Sequence, residues 1–139
     1  MSRHLRFNGP RALINFNDGF GGGNIIDSNL LFNANRETSD HGPFNSWDRQ
    51  PFLTEIRDGT ASLIPASNVI TKNFMVANYG SNGGCVDNDD GSSFYNITYN
   101  FFVFGGHKSD FNGHSKLSWG NINVYPGVRR LARACLGTF

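Results

Sequence analysis

The chain has little net charge, little cysteine and no long apolar run. Twelve Lys and Arg stand against eleven Asp and Glu over 139 residues, a formal net charge of +1. That balance removes the bulk attraction on which nucleic-acid and anionic-membrane binding depend. No stretch approaches the roughly 20 apolar residues of a membrane-spanning helix. The opening MSRHLRF is too short and too polar for a secretory leader. The two cysteines, Cys85 and Cys135, match no zinc or redox spacing. A disulfide between them is left open, with free thiols the first expectation. At this length one domain with a single core is expected.

What is present points to β-structure. Eighteen Asn and seventeen Gly make up about a quarter of the chain. Both residues oppose long helices and favour tight turns. Aromatics reach 14 %, thirteen of them Phe, which excludes a disordered chain. The expectation is an all-β domain of many short strands and many turns.

A repeat organises those strands. Asn24-Ile25-Ile26-Asp27-Ser28-Asn29-Leu30, Asn68-Val69-Ile70-Thr71-Lys72-Asn73-Phe74 and Tyr95-Asn96-Ile97-Thr98-Tyr99-Asn100-Phe101 share one pattern. In each, an Ile is followed three residues later by Asn and then by a large apolar residue. A weaker copy is Gly120-Asn121-Ile122-Asn123-Val124-Tyr125, and an earlier one is Ala12-Leu13-Ile14-Asn15-Phe16-Asn17. Aligning Ile26, Ile70, Ile97 and Ile122 gives intervals of 44, 27 and 25 residues. The last two suit the coils of a parallel β-solenoid, with apolar residues inside and Asn side chains laddered between turns. The alternative is an antiparallel sandwich, for which Asn8-Gly9, Asn82-Gly83 and Asn112-Gly113 would supply hairpin turns.

These segments resemble coils of the right-handed parallel β-helix (pectate-lyase-like) superfamily, which often read Asn-x-Ile-x-x-Asn-apolar. The resemblance spans roughly residues 8–127. It implies a short right-handed parallel β-helix over residues 1–127, complete or a piece of a longer solenoid. A long loop is expected at about 34–66, where SDHGPFNSWDR shows no strand alternation. Residues 128–139 read differently. Val128, Leu131, Ala132, Cys135 and Leu136 fall at helical spacing with Arg129, Arg130 and Arg133 opposite, as a basic amphipathic tail or helical cap would.

The superfamily includes lyases, hydrolases, epimerases and structural fibres, so architecture alone does not choose a function. Reactive residues recur beside the coils: Asp40, His41, Trp47, Asp48 and Arg49, then Asp87, Asp89 and Asp90, then Lys108, Asp110 and His114. In a solenoid such clusters can converge on one face. Glycoside hydrolysis would need two carboxyls, which Asp87, Asp89 and Asp90 offer. Uronate elimination or epimerisation would need a base and a cation, drawn from Lys108, Arg49, His41 or His114, with Ca²⁺ on the acidic loop as a candidate clamp. Trp47, Asp40, Asp48 and Asp110 are candidate substrate contacts.

Each feature also has a plain structural account. Asp89-Asp90-Gly91-Ser92 is ordinary turn chemistry, and the loop fails the EF-hand template, with Val86 and Ile97 at its first and twelfth positions. Four scattered histidines do not make a zinc site. Trp47, between Pro43-Phe44 and Pro51-Phe52, favours anchoring of the loop over stacking on a sugar. Gly21-Gly22-Gly23 lacks the Lys-Ser/Thr of a phosphate loop and reads as a tight corner. Asn96-Ile97-Thr98 is a glycosylation sequon, with Asn96 expected outward if Ile97 points in. The expected function is a carbohydrate-active β-helix protein acting on a polysaccharide, in an extracellular or secretory setting. The alternative is a non-catalytic structural or assembly module that associates end to end with another solenoid or a larger assembly.

Overall fold

In a computed structural model of the chain, the residues described here are 1–17, 22–49, 66–77, 84–109 and 113–126. The expected helical cap, Cys135 and Asp110 lie outside them. Among the described residues, thirteen short strands form three parallel sheets. Sheet 1 holds β2 (Ile14–Phe16), β5 (Phe44–Ser46), β8 (Val86–Asn88) and β11 (His107–Ser109). Sheet 2 holds β3 (Ile25–Asp27), β6 (Asn68–Thr71), β9 (Tyr95–Thr98) and β12 (Lys116–Trp119). Sheet 3 holds β4 (Leu30–Phe32), β7 (Phe74–Val76), β10 (Phe101–Val103) and β13 (Ile122–Val124), with β1 (Leu5–Phe7) added beside β4. The chain visits the sheets in that order four times, so each circuit is one coil of a parallel β-helix.

Strand alternation places one side chain in two toward the interior. The inner rows are Ile14, Phe44 and Val86 in sheet 1, Ile26, Ile70 and Ile97 in sheet 2, and Leu31, Met75 and Phe102 in sheet 3. All nine are buried, and each coil contributes one residue from each row to an apolar layer. The ends differ. On the fourth coil the same rows continue as His107, Ser118 and Asn123. Before the first coil Arg6 stands in the row of Leu31. Polar residues therefore terminate all three inner rows at the fourth coil, and the sheet-3 row at the other end as well.

The corner between sheets 2 and 3 repeats in every coil. Ser28, Lys72, Tyr99 and Gly120 each have φ between 54° and 67°, and each is followed by Asn. The left-handed residue turns the chain so that the Asn side chain points inward, where it must find partners. It finds them in the next coil. Asn29 Nδ2 donates to Asn73 Oδ1 at 2.8 Å, Asn73 to Asn100 at 2.9 Å and Asn100 to Asn121 at 3.0 Å. Each acceptor oxygen also takes the backbone N–H of the Asn before it. The second amide proton of Asn73, Asn100 and Asn121 goes to the carbonyl of Ile26, Ile70 and Ile97, respectively.

Two sequence expectations are corrected. The fourth repeat was aligned on Ile122, but Ile122 pairs with Phe101, and Ser118 is the residue that pairs with Ile97. The Asn ladder keeps the true register, with separations of 44, 27 and 21 residues. The segment SDHGPFNSWDR is not all loop, because Phe44–Ser46 is β5, central in sheet 1 between β2 and β8. A three-residue strand with one inward apolar side chain is too short to show alternation. The long connection between β5 and β6 therefore starts after Ser46.

Gly22 bridges Ala66 of the next coil with φ 122°. A Cβ there would lie 1.9 Å from the Ala66 carbonyl oxygen, so only glycine fits the approach.

Asn73→Ala should cost about 3 kcal/mol of unfolding free energy, because it strands buried partners above and below. Asn96→Ala, on the outer row of sheet 2, should cost less than about 0.5 kcal/mol by the same urea titration.

Candidate functional site

The outward row of sheet 1 is polar. Asn15, Asn45, Asp87 and Lys108 occupy equivalent positions in β2, β5, β8 and β11. Asn45 Nδ2 donates to Asn15 Oδ1 at 2.7 Å, a second and shorter amide ladder. Although it points outward, Asp87 is 0 % exposed. Lys108 answers it, with Nζ 3.1 Å from Oδ1 and 3.4 Å from Oδ2. The same ammonium lies 3.8 Å from Asp40, whose side chain is 66 % exposed. Asp40 comes from the segment that enters β5, so this lysine ties that segment to the sheet.

His41 is held beside Asp40 by Arg11. The guanidinium approaches His41 Nε2 from Nε at 3.1 Å and from a terminal nitrogen at 2.7 Å. A guanidinium only donates, so Nε2 accepts and the ring proton sits on Nδ1, facing Thr38 Oγ1 at 3.3 Å. Burial and the Arg11 charge lower the His41 pKa from its ordinary value, against the opposing pull of Asp40 and Asp89. Its one basic nitrogen is occupied, which removes it as a ready proton acceptor.

Trp47 lies under two guanidinium groups, Arg11 at 5.6 Å and Arg49 at 4.6 Å from its ring centroid. Arg49 in turn pairs with Asp90 at 2.8 Å. The Asp48 N–H donates to the Asp90 carbonyl at 2.7 Å, and the Asp89 N–H to the Ser46 carbonyl at 2.8 Å. Asp89 to Ser92 is a hydrogen-bonded turn, with Gly91 at φ 75° pressed on the Asp48 carbonyl. The acidic run is therefore a coil turn stacked on the end of β5. Among the described residues no group of three His, Cys, Asp or Glu could hold a metal ion.

The fold thus gathers Asp40, His41, Trp47, Asp48, Arg49, Asp87, Asp89, Asp90 and Lys108 on the sheet-1 side. It does not bring His114 there. That residue enters β12 of sheet 2, with Nδ1 3.0 Å from Ser115 Oγ and its ring against Phe94. Asp40 and Asp87 share one lysine between them, where a glycosidase leaves room for sugar and water. No protein-family model, curated protein or solved structure matches this chain. Function therefore has to be argued from this geometry alone.

Sequence reasoning missed Arg11, the Asn15–Asn45 pair and an interior network on sheet 1. In that network Asn88 Nδ2 donates to Ser46 Oγ at 2.8 Å, and Ser46 Oγ meets Ser92 Oγ at 2.9 Å. Asn88 Oδ1 meets His107 Nε2 at 2.8 Å, which requires the proton on Nε2. Aligning the triplets INF, FNS, VDN and HKS would have revealed both rows. Cys85 is a buried free thiol whose pKa burial pushes up to about 12.

Burial, then the charge of Lys116, depresses the His107 pKa to about 4. A histidine with a lowered folded pKa stabilises the fold above its unfolded value near 6.5 and loses that contribution as pH falls toward 4. Wild type should lose on the order of 3 kcal/mol across this window relative to His107→Gln, measured by urea unfolding at each pH.

Lys108→Met should cost about 3 kcal/mol by leaving Asp87 buried without its cation. Adding Asp87→Asn should recover most of that loss, since an amide there extends the Asn15–Asn45 row. Denaturation of the two single variants and the double variant gives the coupling directly.

Proposed function

We propose that this chain is a non-catalytic solenoid module that works by presenting surfaces, chiefly the outer face of sheet 3. One observation carries the reading. The outward residues of β1, β4, β7, β10 and β13 are Leu5, Phe7, Leu30, Phe32, Phe74, Val76, Phe101, Val103, Ile122 and Val124. All ten are apolar, and Leu5, Phe7 and Ile122 are at least half exposed. Water-facing strands ordinarily carry polar outer rows. Contiguous apolar surface of this kind marks an interaction site.

The polar cluster on sheet 1 fits the same reading. Its acids and bases answer one another and fasten the 38–49 segment, and the basic nitrogen of His41 is occupied. Assembly through the coil ends is disfavoured, because Arg6 at one end and His107, Ser118 and Asn123 at the other would be buried against a partner. We take the coils as right-handed, the hand nearly all parallel crossovers adopt, as in the pectate-lyase-like superfamily. An extracellular setting accords with Asn96 on the outer row of sheet 2.

A second reading keeps polysaccharide as the ligand. Its support is the exposed carboxylate of Asp40 beside Lys108, at the edge of a face that several coils share. A polysaccharide panel separates the two, followed by absorbance of unsaturated products and by reducing ends. The expected result is no turnover. Turnover by wild type that disappears in Asp40→Asn, at a largely exposed side chain, with unfolding unchanged, would establish the enzyme instead.

A further inference from the structure

We infer that the apolar face of sheet 3 is the seat of a second copy of this chain, packed sheet against sheet. This rests on the surface-module reading above and names its partner. Three observations favour a like copy over a different molecule.

The first is area. Five strands about 4.8 Å apart and three residues deep span a face of roughly 19 by 10 Å. At ~150–250 Å² for each large aromatic, the exposed part of these side chains is on the order of 600 Å². That reaches the upper range of what a typical monomer leaves open. Phe104 and Tyr125, 40 % and 74 % exposed, flank the sheet at the corner beyond it. With them the face approaches the ~800 Å² per partner of a standard interface.

The second is charge. None of the ten outward residues carries a charge or a hydrogen-bonding side chain. A charged or hydrogen-bonding partner would gain nothing there and lose its own solvation. An identical face brings only apolar area, with no like charges to oppose it. The other two sheets lack this property. The outward row of sheet 1 is polar, and that of sheet 2 mixes Ile25, Val69, Leu117 and Trp119 with Asp27, Thr71, Asn96 and Thr98.

The third is order within the face. Phe7 stacks on Phe32 with centroids 5.3 Å apart and planes 4° from parallel. Phe74 stacks on Phe101 at 5.0 Å and 7°. Phe104 and Tyr125 form a third stacked pair, at 5.9 Å. Stacking along the coils fixes these rings before any partner arrives, which lowers the side-chain entropy lost on docking. Sheets of a sandwich pack face to face about 10 Å apart through such side chains. A twofold axis would let one self-complementary patch serve both copies.

Sedimentation equilibrium of the full chain over a range of concentrations tests the inference. The expected result is a reversible dimer, with Phe74→Glu and Ile122→Glu each weakening association on the order of a hundredfold. Leu117→Glu, on the outer row of sheet 2, should leave the dimer intact. Phe74 and Ile122 are exposed, so circular dichroism and melting should be unchanged. If one variant does fold poorly, the other, on a different strand of the same face, decides.

A wild-type chain that stays monomeric throughout overturns the inference, as does a dimer that both substitutions leave untouched. The monomeric outcome also separates this failure from that of the parent reading. If the monomer binds anilinonaphthalene sulfonate and Phe74→Glu abolishes it, the face is open and seats something else. Dye binding that rises on truncation after residue 126 would identify the chain's own C-terminal segment as the occupant. A monomer that binds no dye removes the surface-module reading as well.

Discussion

The structure depends on an amide hydrogen-bonded twice across every gap between coils. At the corner between sheets 2 and 3, the Asn73, Asn100 and Asn121 oxygens each accept both a backbone and a side-chain N–H from the preceding coil. A buried amide without those partners would cost several times the roughly 1 kcal/mol that one satisfied bond contributes. The ladder therefore stabilises and also enforces register. A slip of one residue would place Leu30, Phe74 or Phe101 where the amide must be and would strand the Asn. The left-handed corner residue before each Asn makes the arrangement reachable, because it turns the chain inward within one residue.

Once the corners are in register, the three sheets follow and divide the labour. Their inner rows make three apolar layers, closed after the third by polar residues of the same rows and before the first by Arg6 in the row of sheet 3. Their outer rows differ in kind. Sheet 1 carries an amide–carboxylate–lysine row under a tied-down segment, sheet 2 is mixed, and sheet 3 is wholly apolar. The fold has no need of an apolar outer row on sheet 3, since its core is complete without it. A sequence that maintains ten apolar residues at outward positions of five strands is providing something the monomer does not use.

Much of this was legible in the residues. Ile26, Ile70 and Ile97, each three before an Asn, gave the coil, the inner row and the ladder at once. The outward direction of Asn96 followed from the inward direction of Ile97, as observed. The fourth copy was misread because Ser118 replaces the expected Ile, and Ile122 drew the alignment four residues too far. β5 was hidden because a strand of three residues, flanked by Gly-Pro and Trp, has one inward apolar side chain and no period. The sheet-1 cluster could be anticipated as a convergence, yet not as a network of mutual pairs. Arg11 stands thirty residues from His41, and only the stacking of β2 on β5 brings that region of the chain together.

The double bonding of each amide makes a direct demand on side-chain exchange. If the ladder holds the coils in register, the Nδ2 protons of Asn73 and Asn100 can reach solvent only when the whole stack opens. Hydrogen exchange of the side-chain amides, followed by nuclear magnetic resonance with residue assignment, reads this without altering the sequence. The account predicts that these two Nδ2 groups exchange as slowly as the backbone amide of Ile97 and share its dependence on denaturant. Exchange of Asn73 or Asn100 at the rate of an exposed asparagine would contradict it, because the coils would then be held together by something other than the ladder.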